Sequence, residues 1–238
     1  MCGRYTLGRE PSSLLDYFHL HGEVPTYHLS YNIAPTQLAP VIVNNKEKQR
    51  VCKMMRWGLV PGWSKGPDPR FNMINAKAET IEQKPAYKTP FQRKRCLVPC
   101  DGFYEWQAIK AEGEKSGKAK QPYYIHKQDN SLLVMAGIWD VWPSNAQASA
   151  NNAAQLMLSF SIITTDANPL MQNIHQRMPV LLRPEQFATW LSVDDQDPET
   201  LKSLLVPYQG DDLRMHPVSR QVNSPKNDSA ELIQEVNL

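Results

Sequence analysis

Apolar segments of strand length dominate the sequence and limit what the chain can fold into. The clearest are PYYIH, LLVMAGIWDVW and LMLSFSIITT, which are rich in β-branched and aromatic residues. Further strands are predicted in VPTYHLSYNIAPTQLAPVIV, where loop precedes strand, and in KMMRWGLVPGW, RCLVPCDGFYEWQ and MPVLLR. No run approaches the roughly 20 apolar residues of a membrane-spanning helix, so we predict no membrane partner.

Helices interrupt these strands rather than alternate with them. We predict a serine-capped helix beginning near Ser12 and Ser13, one in NAKAETI, one in PEQFATWL, where Pro184 suits a first helical turn, and one in PETLKSLL. This order favours an α+β fold, a single domain with a mainly antiparallel β-barrel-like core flanked by a few helices. The domain would span residues 1–238, with about 225–238 an extension that packs on it or is partly flexible.

Composition excludes some classes of protein. The 26 basic and 24 acidic side chains nearly cancel, so a nucleic-acid surface must be a local patch. The start MCGRYTLGRE has no apolar segment of a secretory signal, and the four cysteines have no disulfide pattern, which predicts a reducing cytoplasm. No histidine pair accompanies Cys96 and Cys100, so we predict no metal site. The polar stretches 108–120 and 143–155 are predicted to be solvated insertions.

The second residue offers unusual chemistry. Once Met1 is removed, Cys2 carries a thiol and a free amine on adjacent carbons, and Gly3 gives the backbone freedom to bring this terminus against a ligand. Their ordinary pKa values leave a useful fraction of each group nucleophilic near neutrality. An aldehyde would form a Schiff base with the amine, and the thiolate would close on the imine carbon to give a thiazolidine.

Other interpretations of the terminus remain open on these residues. N-terminal-nucleophile amidohydrolases also begin Met-Cys-Gly, and they use the amine as a base for the Cys2 thiolate to cleave glutamine or another amide. Alternatively Cys2 is a small buried side chain in a noncatalytic DNA-binding module. Three residues do not separate these possibilities.

Two further segments carry polar groups suited to a site. In INAKAET, Asn75 can bind an amine and Lys77 a phosphate, although Asn75 could equally cap a following helix. In DGFYEWQ, strand alternation places Tyr104 and Trp106 on one face and Glu105 on the other. A carboxyl group in a partly apolar pocket can transfer protons, whereas an exposed strand glutamate would have no role.

The remaining candidates are a histidine and several aromatic and basic side chains. In NIHQRMPVLL, His175 can titrate near neutrality and Arg177 can bind phosphate. In RWGLVPGWSK, we expect Trp63 to be exposed in a Pro-Gly turn, and Trp57 and Trp139 to lie in the core. Exposed aromatic groups beside cations are typical of single-stranded nucleic-acid grooves.

Taken in order, MCGRYT, YNIAPT, RWGLVPGW, INAKAET, CLVPCDGFYEW, IHQRMPVLL, HPVSRQVN and AELI resemble the motif set of the SOS-response-associated peptidase family. The likeness runs from residue 2 to about 234. It implies a sensor of abasic sites in single-stranded DNA, with no cofactor, that crosslinks to the ring-opened sugar aldehyde through a processed N-terminal cysteine. The crosslink would protect the lesion at replication forks and would be reversible.

The resemblance also implies residue roles. Cys2 is the nucleophile and Asn75 positions its amine. Glu105 protonates the sugar ring oxygen, and His175 stabilises the opened sugar's hydroxyl. The family name implies a self-processing peptidase that removes Met1, for which Glu105 and His175 are again candidates. The implied DNA contacts are Arg4, Lys77 and Arg177 on phosphates, Thr164 beside the lesion, and Pro35 and Trp63 between bases.

One departure from the family pattern concerns Lys77, where arginine is usual. Lysine keeps the charge but loses the two-pronged hydrogen bonding of a guanidinium. The sequence ends soon after AELI, so the expectation is a bacterial-type, stand-alone monomer, cytoplasmic and associated with the nucleoid when bound to DNA.

Overall fold

The computed structural model describes residues 2–68, 72–109, 120–144, 155–194 and 197–238. Met1 and most of the two polar stretches predicted as insertions lie outside these residues. Within them the chain forms twelve β-strands and five short α-helices, in one α+β domain.

Five strands close into a barrel. Each strand pairs with two neighbours in the cyclic order β10, β4, β3, β6, β9 and back to β10. All of these pairs are antiparallel except β4 with β10, which are parallel. The barrel strands are β3 Leu38–Asn44, β4 Arg50–Trp57, β6 Arg95–Cys100, β9 Leu133–Ser144 and β10 Gln155–Asp166. The predicted mainly antiparallel, barrel-like core is therefore confirmed.

A second, five-stranded antiparallel sheet carries the N-terminus. Its order is β12, β8, β7, β1, β2, so β1 lies in its interior between β2 and β7. The strands are β1 Arg4–Leu7, β2 Ser30–Ile33, β7 Gly102–Ala108, β8 Lys120–Lys127 and β12 Leu213–Pro217. The predicted RCLVPCDGFYEWQ strand is thus β6 and β7, joined at Asp101 and assigned to different sheets.

Strand β10 brings distant segments together because it is long enough to have partners along both edges. On one edge it pairs with β5, Asn75–Lys77, in parallel, and beyond β9 on the other edge it pairs with β11, Arg177–Pro179. Thr164 lies opposite both Lys77 and Pro179. With strands about 4.8 Å apart, β5 and β11 lie about 10 Å from each other across β10.

The helices differ in several places from the sequence predictions. The first is not capped by serine: Pro11 occupies its first turn, Glu10 is the N-cap, and Ser12 is inside it. NAK is strand β5, followed by only a 3-10 turn at Ala78–Thr80, so Asn75 is not a helix cap. The α-helices are α1 Pro11–Phe18, α2 Pro85–Arg93, α3 Pro169–Gln172, α4 Phe187–Leu191 and α5 Pro198–Ser203.

Other segments also depart from their predictions. The predicted helix PEQFATWL begins as a 3-10 turn at Pro184–Gln186 and continues as α4. The predicted strand MPVLLR is hydrogen-bonded as a strand only in β11, with an isolated bridge at Leu181. Helix α2 is absent from the sequence prediction.

Buried apolar side chains fill one large cluster and a smaller one. Trp57 lies in the large cluster as predicted, but Trp139 is only half-buried at its edge. The smaller cluster packs Tyr104 and Tyr124 against Val218, Val222 and Leu232 of the C-terminal segment. No helix in the described part of the chain is long and apolar enough to span a membrane.

Candidate functional site

Cys2 lies two residues before the first residue of β1 and is fully buried. Its Sγ is 3.8 Å from the carbonyl oxygen of Arg4. Burial raises the pKa of the Cys2 thiol well above its ordinary value, and the charge of Glu105 raises it further. The thiol is therefore protonated near neutral pH in this state, and it is not the exposed nucleophile that the sequence chemistry requires.

Asn75 contacts this residue directly. Its Nδ2 donates a hydrogen bond of 2.8 Å to the carbonyl oxygen of Cys2. Its Oδ1 is buried and accepts no hydrogen bond from any described residue. Because an amide presents one donor end and one acceptor end, the bond to the carbonyl leaves Oδ1 available to accept a hydrogen bond from another group.

Glu105 comes to the same place through strand pairing. Arg4 of β1 lies opposite Tyr104 of the antiparallel strand β7, so the register continues with Glu105 beside Gly3, the residue next to Cys2. The Glu105 side chain is only 2% exposed, which excludes the exposed strand glutamate. Tyr104 and Trp106 face the smaller apolar cluster, as the predicted strand alternation requires.

His175 lies in the turn before β11 and is half-buried. Its Nδ1 lies 2.9 Å from the backbone nitrogen of Arg177. The same Nδ1 lies 3.2 Å from the carbonyl oxygen of Arg177, so its role as donor or acceptor depends on the tautomer of the ring. Strand β11 begins two residues later, with Arg177 opposite Asp166, whereas Asn75 lies opposite Ile162, so strand pairing alone does not bring His175 beside Asn75.

Thr164 lies on β10, opposite Lys77 of β5 and Pro179 of β11. Its side chain is fully buried, and its Oγ1 has no hydrogen-bond partner among the described residues. A buried hydroxyl without a partner is costly, by about 1–3 kcal/mol. The Oδ1 of Asn75 is a second buried polar atom without a partner among these residues. Asn75 lies on the neighbouring strand β5, opposite Ile162, which is two residues from Thr164.

A groove connects three of the predicted residues. Trp63, Asn75 and Lys77 line it, and Lys84 and Tyr87 of the α2 region complete its wall. The Trp63 side chain is 71% exposed, as predicted from its Pro-Gly turn. Lys77 is exposed and pairs with no acidic group in the described chain. The groove therefore combines an exposed aromatic ring with cations, beside an amide that contacts Cys2.

Tyr87 was not identified from the sequence. Its hydroxyl donates a hydrogen bond of 3.2 Å to the carbonyl oxygen of Asn75, and so links α2 to the strand that holds this asparagine. Burial raises the pKa of Tyr87, so the phenol is protonated and is a donor at neutral pH. Pro85 at the start of α2 was the available sequence signal for this helix. Pro90 inside the helix obscures the helical pattern, because proline is usually absent from helix interiors.

Arg177 is held by acidic groups rather than facing solvent alone. Its Nη1 is 2.6 Å from Glu79 Oε1 and 2.9 Å from Asp166 Oδ1. Its Nη2 donates to Glu79 Oε2 at 2.9 Å and to the carbonyl oxygen of Thr164 at 2.7 Å. The hydrogen bond from Arg177 lowers the pKa of Glu79. A phosphate that binds Arg177 would have to displace one of these carboxylates.

Arg4 fastens the C-terminal segment. Its guanidinium donates to Asn32 Oδ1 at 2.8 Å, to the carbonyl oxygen of Val222 at 2.7 Å and to that of Asn223 at 3.1 Å. Burial lowers the pKa of Arg4. These bonds give Arg4 a structural role, and a phosphate contact remains a prediction. Pro35 is half-buried in the turn between β2 and β3, outside the groove described above.

The family model described as SOS response associated peptidase (SRAP) matches residues 1–225. Abasic site processing protein YoqW of Bacillus subtilis (strain 168) is 40% identical over 98% of this chain and 99% of its own. Abasic site processing protein HMCES of Xenopus tropicalis is 34% identical over 88% of this chain and 67% of its own.

A solved structure of a protein from Bacteroides thetaiotaomicron matches the fold with a TM-score of 0.83 and 25% identity, over 99% of this chain and 100% of that one. The sequence matches decide between the two families that an initial Met-Cys-Gly left open. Because the family model matches residues 1–225 and relatives at 40% and 34% identity cover most of the chain, the chain belongs to the SOS response associated peptidase family.

Proposed function

We propose that this protein captures abasic sites in single-stranded DNA by forming a thiazolidine between the amine and thiol of a processed Cys2 and the sugar aldehyde. Relatives at 40% and 34% identity are named abasic site processing proteins. The observation that carries the proposal is the 2.8 Å hydrogen bond from Asn75 to Cys2, in a groove that also holds Trp63 and Lys77.

The chemistry uses both groups of the terminal residue. The Cys2 amine attacks the aldehyde carbon and water leaves, which forms an imine. The sulfur then adds to the imine carbon, its proton goes to the nitrogen, and a five-membered ring closes. Because the second attack is intramolecular, the adduct is favoured over an imine of a lysine side chain.

The neighbouring polar groups have distinct parts in this scheme. Asn75 holds the Cys2 backbone, and its unpaired Oδ1 accepts a hydrogen bond from the amine. Glu105 is near enough to Cys2 for its charge to act on the thiol. It exchanges protons with the sugar during ring opening and reversal. His175 and the unpaired hydroxyl of Thr164 form hydrogen bonds with the oxygen atoms of the opened sugar.

The burial of Cys2 requires a change before DNA binds. Removal of Met1 creates the free amine and takes away the residue that precedes the thiol. We infer that the processed terminus becomes accessible to the groove in this way. Glu105 is the candidate for promoting this cleavage within the chain, and retention of Met1 in Glu105→Gln, but not in wild type, would support self-processing when measured by intact mass.

A crosslinking assay tests the proposal. Protein whose loss of Met1 has been verified by mass is incubated with a single-stranded oligonucleotide bearing one abasic site. We expect a band that survives denaturation in wild type and in Cys52→Ala, a buried internal cysteine control, and none in Cys2→Ala. Methoxyamine treatment of the oligonucleotide removes the aldehyde and should abolish the band. A stable band with Cys2→Ala, or none with processed wild type, would refute the proposal.

A further inference from the structure

A second cavity adjoins the DNA groove. The two share Trp63, Asn72 and Met73, but the cavity extends away from Asn75 toward Arg56 at the end of β4. Its volume is about 650 Å³, which is within the range of small-molecule and base-binding pockets. The exposed ring of Trp63 therefore borders two compartments, and only one of them contains Asn75.

The cavity walls are mainly apolar. Leu59, Val60, Pro61 and Met73 line it, and Trp63 supplies the aromatic surface. Leu59 and Val60 are each only 3% exposed, so their contribution is a fixed wall rather than a mobile side chain. A flat, weakly hydrated group would gain more from these walls than a phosphate would, because a phosphate loses its hydration among apolar groups.

The loop that forms these walls is fastened to the barrel by its own backbone. The N–H groups of Gly58 and Leu59 donate to the carbonyl oxygens of Phe160, at 2.8 Å, and Met73, at 3.0 Å. The N–H of Val60 donates to Ser159 Oγ at 2.8 Å. The cavity is thus formed before any ligand arrives, which lowers the ordering cost of binding.

The loop also fixes the position of Trp63. The N–H of Gly62 donates to Asp140 Oδ2 at 2.9 Å. A side chain at Gly62 would come within 2.7 Å of the Val141 carbonyl oxygen, so this close approach needs glycine. Trp63 thus projects an exposed indole from a fastened backbone at the edge of the cavity, and this apolar surface favours stacking with a ligand.

Arg56 gives the cavity a polar end. Its side chain is half-buried, and its Nη1 donates to the carbonyl oxygen of Gly58 at 2.8 Å. Its Nη2 and Nε donate to no other residue in the described chain. A guanidinium with free donors beside apolar walls matches a nucleobase, which has flat apolar faces and an edge of nitrogen and oxygen acceptors.

We infer that this cavity binds the nucleobase of a nucleotide next to the abasic site, with Arg56 contacting the base edge. The inference rests on the proposed function, because the strand that fills the groove beside Asn75 would supply the base. Lys77 and Lys84 in the groove bind the phosphate backbone, and the strand continues past Trp63 into the cavity. One flanking base, on one side of the lesion only, contributes to affinity.

Reversible binding to defined oligonucleotides tests this assignment. The lesion is a tetrahydrofuran analogue, which has no aldehyde and does not crosslink. The flanking nucleotide on the 5′ or the 3′ side is then replaced by a second tetrahydrofuran, which deletes that base alone. We expect deletion on one side to weaken binding about tenfold, because stacking and edge contacts of one base are of this order, and deletion on the other side to have little effect.

An arginine variant links the effect to the cavity. Arg56→Met should weaken binding about tenfold when both bases are present and leave affinity unchanged when the responsive base is absent, because the two deletions remove the same contact. Arg50→Met, at the other end of β4 and outside the cavity, should bind as wild type does. If Arg56→Met fails to fold, Arg56→Lys, which keeps the stem and the charge, serves the same test.

The outcomes are distinguishable. Independent losses from the base deletion and from Arg56→Met would overturn the assignment, as would equal losses on the two sides. A third result would be that a neutral methylphosphonate linkage weakens binding only when Arg56 is present, while no base deletion weakens it. The cavity would then be a phosphate site, and the assignment would again be overturned. Intact crosslinking with no base dependence would refute the cavity assignment alone, whereas failure of crosslinking would refute the proposed function as well.

Discussion

Replacement of Glu79 by glutamine tests whether Arg177 serves the DNA. Both oxygens of Glu79 contact the guanidinium, at 2.6 and 2.9 Å. A phosphate that binds Arg177 has to compete with this carboxylate. Glu79→Gln removes the competing charge, while Asp166 and the carbonyl oxygen of Thr164 still hold the guanidinium in place. We therefore expect this loss of an ion pair to strengthen DNA binding.

The structure sets the size of the effect. The Arg177 side chain is 15% exposed and that of Glu79 is 48% exposed, so the ion pair is only partly screened by solvent. Exposed pairs contribute about 0.2–1 kcal/mol, and this two-pronged pair belongs at the upper end. Release of about 1 kcal/mol corresponds to about a fivefold gain in affinity. One additional phosphate contact steepens the slope of log affinity against log salt by about 0.7 for a single strand.

Fluorescence anisotropy with a tetrahydrofuran-containing single strand, repeated over a range of salt concentrations, measures both quantities. Glu82→Gln is the matched control. Glu82 lies three residues from Glu79 and carries the same charge, but it pairs with Lys202 rather than with Arg177. Equal gains in Glu79→Gln and Glu82→Gln would assign the effect to net charge and refute the reasoning. Weaker binding by Glu79→Gln would show that Glu79 orients Arg177 for the phosphate instead of competing with it.

Three further substitutions probe the site and the fold. Asn75→Ala removes the hydrogen bond to Cys2 and should slow crosslinking about tenfold while DNA affinity stays within about twofold, with Asn72→Ala as the control in gel-based time courses. Glu105→Gln removes a negative charge that raises the pKa of the Cys2 thiol, so in protein from which an added aminopeptidase has removed Met1, alkylation of Cys2 should reach half its maximum rate at lower pH than in wild type treated in the same way; an unchanged profile by peptide mass spectrometry would contradict the charge effect. Arg95→Met leaves four backbone carbonyls without a buried donor and should lower the free energy of unfolding by about 3–5 kcal/mol in urea titrations, and a loss below 1 kcal/mol would contradict this role.

Features that depend on short-range pattern were predictable from the sequence. Alternation along FYEWQ correctly separated Glu105 from Tyr104 and Trp106, because successive side chains of a strand face opposite sides whatever the strand pairs with. The Pro-Gly turn correctly predicted an exposed Trp63, because such turns lie at the surface.

Features that depend on strand pairing were not predictable. NAK has no helix-breaking residue, so its sequence predicts the start of a helix. It instead forms strand β5, because it pairs in parallel with β10. The role of Arg4 in fastening the C-terminal segment depends on carbonyl oxygens more than two hundred residues away in sequence. Local propensity contributes only fractions of a kcal/mol per residue, so distant hydrogen bonds and burial override it.

The sequence by itself determined the fold class, the family and the reactive pair of atoms that a processed Cys2 would present, because periodicity, motif order and covalent chemistry are local properties of the chain. Only the tertiary structure decided that Cys2 is buried, that Asn75 and Glu105 meet it from different sheets, and that Arg177 is held by Glu79 and Asp166. Burial and electrostatic contact depend on distances between strands that are remote in sequence. No local pattern encodes those distances, and they are fixed when the barrel closes and the second sheet packs against it.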